Sequence, residues 1–196
     1  MKSLITTSLA LLLFPLASAG YPPPPGPWTL GAWRPPTVDS PPVWGGRAIQ
    51  ANGGRFWIGK PPSAYCPPDV AGLDCTAYPG ASTVFSGGND TVFLNVAVPG
   101  GQQVYIAPDG AMGYTPPHSA FKPDGSVVSG WWREISVAGG APTIVGNGQS
   151  SMMACPAAGQ DGVYQIFFGV SGAQVTSCVS FQMRTYAASG VVAWEY

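Results

Sequence analysis

Charged residues are scarce in this chain of 196 residues: Asp, Glu, Lys and Arg together make up 9% of it, against about 25% in typical soluble domains. The formal net charge is only −1. A nearly neutral surface offers no cationic patch for nucleic acid phosphates or for anionic lipid headgroups. We therefore expect no nucleic acid and no membrane among the partners of this chain.

Long apolar runs are also missing, apart from one near the N-terminus. Residues 4–16 form an apolar run after Lys2, and residues 17–19, Ala-Ser-Ala, supply the small side chains typical of a cleavage site. This run is shorter than the roughly 20 residues that a membrane span needs. We predict a signal peptide at residues 1–19, cleavage before Gly20, and a secreted, extracellular protein that is associated with the cell wall.

Histidine occurs once, at position 118, so His118 is the one histidine that could act as the base in a catalytic triad. His118 stands beside Ser119 and between Asp109 and Asp124. Neighbouring residues on an extended segment point in opposite directions, so Ser119 is poorly placed to meet the imidazole. The chain also has no GxSxG motif. We interpret this segment as a pair of turns, with Asp109 capping its own Pro-Asp-Gly turn, and predict no catalytic triad.

Glutamate is nearly absent too, and glycoside hydrolysis needs two carboxyl groups that face one sugar cleft. The two glutamates are Glu134 and Glu195, while most aspartates follow proline or precede glycine in turn-like contexts. Residues 54–60 fit the phosphate-loop pattern GxxxxGK, but Pro61 stands where Ser or Thr would hold magnesium. We predict no catalytic residue and no cofactor; a hydrolase using Glu134 with an aspartate is the enzymatic alternative.

Four cysteines are present, and an even number in an exported chain usually means disulfide bonds. Among the three possible pairings we favour the sequence-local one, which joins Cys66 to Cys75 and Cys155 to Cys178. A zinc site is the alternative, but the spacings match no common ligand pattern and only one histidine is available. We therefore predict two disulfides and no metal.

Proline and glycine are abundant, with 22 and 27 residues, and the prolines cluster near the N-terminus. Residues 21–46 contain nine of them, and proline fixes φ and removes a backbone donor. We predict an extended arm over residues 20–46 that contains neither a helix nor a central strand. Its tryptophans, including Trp28 and Trp33, would either stack on a partner or sugar, or lie against the domain's own surface.

From residue 47 on, short β-favouring runs alternate with turn dipeptides. Asn52-Gly53, between AIQA and RFWIG, is a strong hairpin signal, and Pro99-Gly100 separates two further runs. Roughly twelve such runs and no convincing helix predict a single antiparallel all-β domain over residues 47–196. A closed barrel of the β-trefoil kind is favoured over a two-sheet sandwich.

Two surface features stand out within the predicted β domain. Asn89-Asp90-Thr91 is an N-glycosylation sequon, which follows two glycines in what we interpret as an exposed turn. Trp131 and Trp132 would face opposite sides of a strand, so one of them is a candidate for stacking on a sugar ring, together with Trp28 and Trp33. The alternative places one ring in the core and the other under a loop.

Several longer segments resemble one group of fungal proteins. These segments are FWIGKPPSAYCP, TVFSGGN and VPGGQQVYIAPDGAMGYTPPHSA, followed by SMMACP, VYQIFF and the terminal AWEY. They are similar to the fungal secreted proteins labelled IgE-binding protein, over about residues 56–196. The DGAMGYT and GWW elements and the C-terminal cysteine pair resemble, more distantly, PhiA-type cell wall proteins and the C-terminal domain of wall proteins with internal repeats.

This resemblance implies a non-enzymatic protein of the fungal secretome or cell wall, which acts by binding and is recognised by hosts as an antigen or elicitor. It brings no catalytic residues. The implied partner is a wall polysaccharide or a host protein, and a carbohydrate-binding module is the alternative reading. The chain lacks the glutamine-containing repeats of the repeat-bearing wall proteins, so the resemblance does not extend to their covalent attachment to glucan.

Overall fold

The computed structural model describes residues 26–34, 45–135, 143–145, 152–169 and 177–196, with the backbone alone at 143–145. The predicted signal peptide lies outside the described residues. Within these ranges the regular structure consists of eleven strands and one short 3-10 helix, Cys75–Ala77. The strands are β1 (Trp28–Trp33), β2 (Gly45–Asn52), β3 (Arg55–Ile58), β4 (Phe85–Leu94), β5 (Gln102–Ile106), β6 (Met112–Tyr114), β7 (Trp131–Glu134), β8 (Thr143–Val145), β9 (Met152–Pro156), β10 (Tyr164–Phe168) and β11 (Val179–Ala187).

Antiparallel pairing closes nine of these strands into a ring. Its order is β3, β10, β9, β11, β8, β7, β4, β5 and β6, and β6 pairs again with β3. The remaining two strands connect members of the ring, because β1 pairs with β11, β2 and β4, and β2 pairs with β3. The predicted all-β fold and the preference for a closed antiparallel barrel over a sandwich are confirmed.

Alternation along each strand builds the core. The inward residues of β1 are Trp28, Leu30 and Ala32, all at most 1% exposed, and those of β10 include Ile166 and Phe168. Side chains on a strand alternate between its two faces, so every second residue reaches the interior. Burying a large apolar side chain contributes about 1.5–3 kcal/mol relative to leaving it in water. The core therefore fixes which face of each strand points outward.

The hairpin between β2 and β3 is confirmed, with its turn one residue later than expected. Asn52 pairs with Arg55, so Gly53 and Gly54 occupy the two central positions, and their φ angles are 59° and 75°. Two-residue hairpin turns that match the strand twist need positive φ at both central positions, which glycine adopts without strain.

The expectation that residues 21–46 hold no central strand is wrong. The prolines stop at Pro27 and resume at Pro35, and the proline-free WTLGAW between them forms β1, which pairs with three other strands. Proline excludes a residue from a central ladder only where it stands itself. The barrel therefore starts at β1; residues 20–25 and 35–44 of the predicted arm lie outside the described residues.

Two disulfides and the buried amide of Gln102 cross-link separate parts of the fold. Cys66–Cys75 and Cys155–Cys178 are both formed, which confirms the predicted pairing. The fully buried side chain of Gln102 donates from Nε2 to the carbonyl of Tyr196 and accepts from its N–H, each at 2.8 Å. The Tyr196 hydroxyl donates to a backbone carbonyl, and burial raises the pKa of Tyr196 to about 12.

Candidate functional site

The segment around His118 is organised by turn hydrogen bonds. His118 is exposed, in a left-handed conformation with φ of 56°. The Ser119 hydroxyl accepts from the Phe121 N–H at 3.0 Å, and the Asp109 carboxylate accepts from the Ala111 N–H at 3.0 Å. Both contacts are local bonds of the kind that Ser and Asp make in turns. The prediction that Asp109 caps its own turn is confirmed.

An open concavity of about 330 Å³ lies next to this segment. A single loop, residues 120–126, lines it and contributes Lys122 and Asp124 as its charged side chains. Phe121 on the same loop is 71% exposed. The His118 side chain does not line this concavity. Ser126 does line it, and its hydroxyl donates to the Pro123 carbonyl within the same loop at 2.6 Å.

The two glutamates stand in separate settings. Glu134 is exposed at the end of β7, and the backbone of Glu195 forms an isolated bridge with Tyr65. Within the described ranges, no group of three or more His, Cys, Asp and Glu side chains is placed to hold a metal ion. In the same ranges, no helix has the length and apolar character required to span a bilayer.

Trp28 and Trp131 are core residues, so their prediction as binding-surface candidates is wrong. Trp28 is 0% exposed; it stacks on Phe85 with ring centroids 4.8 Å apart, and its Nε1 donates to the carbonyl of Gly87. Trp131 is 1% exposed and meets the ring of Phe168 edge-on. Both residues stand at inward positions of their strands, and alternation sends them inside.

Arg133 packs against the buried Trp28 ring. Its guanidinium carbon lies 4.9 Å from the ring centroid, and its aliphatic stem crosses the backbone at Gly88. Burial lowers the pKa of the Arg133 guanidinium, because removal from water disfavours the charged form. Arg133 therefore serves as part of the packing around Trp28.

Trp33 lies on the opposite face of β1, where β1 and β11 run side by side. The register pairs Thr29 with Tyr186, Gly31 with Arg184 and Trp33 with Gln182. Directly opposed residues of an antiparallel pair project from the same face of the sheet. We call this set the β1–β11 face; its members are Thr29, Gly31, Trp33, Gln182, Arg184 and Tyr186.

Arg184 and Tyr186 give the β1–β11 face its shape. The Arg184 guanidinium carbon lies 3.6 Å from the centroid of the half-buried Trp33 ring. Tyr186 is 39% exposed and lies low over the backbone, because Gly31 carries no side chain. A Cβ at Gly31 would come within 2.7 Å of a Tyr186 ring carbon, and one at Gly46 within 3.1 Å of its hydroxyl.

The β1–β11 face combines two aromatic rings with polar side chains. The Nε of Arg184 is buried and, among the described residues, has no hydrogen-bond partner, as is also true of the Nε of Arg133. The register places Thr29 and Gln182 on the same face as Arg184. Aromatic rings with adjacent donors suit ligands that have an apolar face and a polar rim. Sugar rings have this character, since their C–H groups form faces and their hydroxyls form the rim.

Another pair of an aromatic ring and a cation, Trp57 and Lys60, lies at β3 and the residues after it, but the Trp57 indole N–H already donates a hydrogen bond within the protein. The Nζ of Lys60 lies 3.8 Å from the centroid of the half-buried Trp57 ring. The Trp57 indole N–H donates to the carbonyl of Asn52 at 2.9 Å, within the same hairpin. The Trp57 indole N–H is therefore engaged within its own hairpin, whereas the β1–β11 face offers the two rings of Trp33 and Tyr186, so the Trp57–Lys60 pair is the weaker candidate.

Trp132 and the sequon residue Asn89 share one outer face of the sheet. Trp132 is 38% exposed on β7, and the register places Asn89 of β4 directly opposite it. Asn89 is exposed as predicted, but it lies within β4, where we expected a turn. The strand bends there because Gly87, Gly88 and Asp90 have positive φ angles of 83°, 98° and 73°.

Sequence reasoning identified Trp33 and Trp132 but missed the residues that complete the β1–β11 face. The signal for Arg184 and Tyr186 lies in the alternation of SFQMRTY, where Phe181, Met183 and Thr185 point inward. Glycine inside a strand often marks a close approach of another group, but we expected no strand around Gly31, so this signal was missed. That β1 and β11 are neighbours is a matter of register, which the sequence pattern alone does not give.

The known proteins to which this chain is similar are secreted proteins, in agreement with the predicted export. The family model of PhiA-like secreted proteins matches residues 45–196, which include Arg184 and Tyr186 and leave out β1. An "Uncharacterized secreted protein" of Arthroderma benhamiae is similar, with 35% identity over 207 aligned residues and 100% of each chain covered. No solved structure matches the chain.

Proposed function

Because the chain belongs to the PhiA-like family of secreted fungal proteins, we propose that it acts outside the cell as a non-catalytic protein that binds neutral wall polysaccharide. The ligand lies on the β1–β11 face. The observation that carries this proposal is the grouping of Trp33, Arg184 and Tyr186 on one outward face of the barrel.

The chemistry of this face favours a neutral sugar polymer. A pyranose ring would lie against Trp33 or Tyr186 through its C–H groups, while Arg184 donates hydrogen bonds to hydroxyls. The formal net charge of −1 provides no long-range attraction to a strongly charged polymer. Short-range stacking and hydrogen bonding therefore supply the affinity, and binding is expected to change little with salt concentration.

The absence of catalysis is part of this proposal, and the turn contacts support it. Ser119 and Asp109 accept hydrogen bonds from their own turns. Retaining and inverting glycosidases need two carboxyl groups about 5–9.5 Å apart across a cleft. On the β1–β11 face the polar side chains are those of Thr29, Gln182, Arg184 and Tyr186, none of which carries a carboxyl group.

The test is depletion of the purified mature protein by insoluble chitin, β-glucan and cellulose, with reducing sugar measured in the supernatant. We expect depletion by at least one polymer, without sugar release. Tyr186→Ala should reduce depletion strongly, whereas Tyr65→Ala, which removes a tyrosine that is 56% exposed away from this face, should leave it unchanged. Release of sugar, or equal depletion of both variants, would overturn the proposal.

A second role, recognition by a host, has its own supporting observation. The resemblance to IgE-binding proteins includes the segment that ends at Ala120, and the adjoining Phe121 is 71% exposed. We infer that host antibodies bind this loop. Sera that contain IgE against related moulds should bind the folded protein and lose part of that binding with Phe121→Ser. Equal binding of the variant, or none to either protein, would contradict this role.

A further inference from the structure

The exposed ring of Trp132 has a neighbour that the secretory pathway can modify. Asn89 begins the sequon Asn-Asp-Thr and stands directly opposite Trp132 in the β4–β7 register. Both side chains are exposed, so both project from the outer face of the sheet. In an antiparallel pair, the Cβ atoms of directly opposed residues lie about 4.5–5.5 Å apart.

The local backbone presents Asn89 and keeps it in place. Gly88 and Asp90, on either side of it, have positive φ, so the strand departs from regular extended geometry at this point. The Asp90 carboxylate accepts from the Gly130 N–H at 2.9 Å. This bond connects the irregular part of β4 to the residue before β7. Arg133 packs against Gly88 on the inner side. Asn89 is therefore an accessible acceptor held next to an indole ring.

We propose that Asn89 carries an N-linked glycan and that its first sugar packs against the Trp132 ring. That sugar is an N-acetylglucosamine, whose C–H face matches an indole and whose acetamido group and hydroxyls stay in water. Trp132 is then covered by the protein's own modification, which separates it from the polysaccharide-binding role of the β1–β11 face. This inference does not rest on the proposed function.

The first measurement is the intact mass of the protein secreted from a eukaryotic host, before and after endoglycosidase H, which leaves a single N-acetylglucosamine on the asparagine. We expect one modified site, lost in Asn89→Gln. We also expect the trimmed protein to keep the melting temperature Tm of the fully glycosylated one, and to melt about 2–4 °C above Asn89→Gln. An unmodified Asn89 would overturn the proposal.

The second measurement assigns that shift to Trp132. The difference in Tm between the trimmed protein and its Asn89→Gln counterpart is measured again in Trp132→Ala and Trp132→Phe backgrounds. The difference should vanish with alanine and be largely retained with phenylalanine, which offers another flat ring. Where the alanine variant is not secreted, Trp132→Thr replaces it, since threonine is a good strand former.

An equal glycan effect in the alanine or threonine background and in the wild type would overturn the contact. Asn89→Gln should still be depleted by polysaccharide as the wild type is, because Trp33, Arg184 and Tyr186 lie on other strands. The failure of polysaccharide binding would leave the mass and Tm results unaffected, so the two proposals fail separately.

Discussion

Strands β1 and β7 each carry two tryptophans, and in both strands one ring is buried and the other faces outward. The buried rings, Trp28 and Trp131, pack against phenylalanines in the same core. The outward rings differ: Trp33 lies under Arg184 on the same face as Tyr186, while Trp132 stands opposite Asn89. The position of a tryptophan along its strand determines whether its ring is buried. The neighbouring strand determines which side chains an outward ring contacts.

The largest expected effect is the loss of stability when the buried Trp28 ring is removed. Trp28→Ala should lower the free energy of unfolding by about 3–5 kcal/mol, because it removes a fully buried aromatic side chain and leaves a cavity. Trp33→Ala should cost on the order of 1 kcal/mol, the value of a partly exposed ring with one cation above it. Urea denaturation of both variants measures the two costs. Equal losses would show that Trp33 belongs to the core as well.

The second prediction compares the two arginines that cover these rings. Arg133 lies over buried Trp28 and is itself partly removed from water, whereas Arg184 lies over outward Trp33. Arg133→Ala should cost about 2 kcal/mol, because it uncovers a fully buried ring, and Arg184→Ala about 0.5–1 kcal/mol, because the Trp33 ring already has contact with water. Chemical denaturation measures both. A larger loss for Arg184→Ala would reverse the assignment of inner and outer faces.

The third prediction sharpens the description of the β1–β11 face. Gly31→Ala introduces a Cβ within 2.7 Å of the Tyr186 ring and 3.0 Å of the Gly46 carbonyl, so Tyr186 must lift from the strand. We expect a loss of stability of about 1 kcal/mol, the low end for overpacking, together with weaker retention by insoluble polysaccharide.

The matched control for this variant is Gly45→Ala on the neighbouring strand. A Cβ at Gly45 meets nothing within 4 Å, and its φ is not positive. This variant should keep both stability and polysaccharide retention. If Gly31→Ala retained polysaccharide as well as Gly45→Ala does, the position of Tyr186 would not matter for binding.

Local signals in the sequence predicted much of the barrel. Strand alternation, turn dipeptides and the cysteine spacing predicted an antiparallel β domain, the hairpin at Gly53 and both disulfides, because each depends on residues close together in sequence. The pairing Cys155–Cys178 spans 23 residues and is still local, since it joins strand β9 to the residue before its partner β11.

The wrong predictions arose where the overall composition of a segment differed from that of a few residues within it. Nine prolines in residues 21–46 concealed six proline-free residues that form a central strand. The glycines before Asn89 predicted a turn, yet they bend a continuous strand, since Asn89 and Asp90 still pair with β7. The β1–β11 face could not be predicted, because its residues lie about 150 positions apart and meet only through register.

Titration of soluble β-glucan and chitin oligosaccharides into ¹⁵N-labelled protein, with the indole N–H signals assigned by single substitutions, tests the central claim most directly. The account predicts that the Trp33 signal moves with saturation, while the buried Trp28 and Trp131 signals stay in place. Movement confined to another indole, or no movement with any of these sugars, would contradict binding at the β1–β11 face.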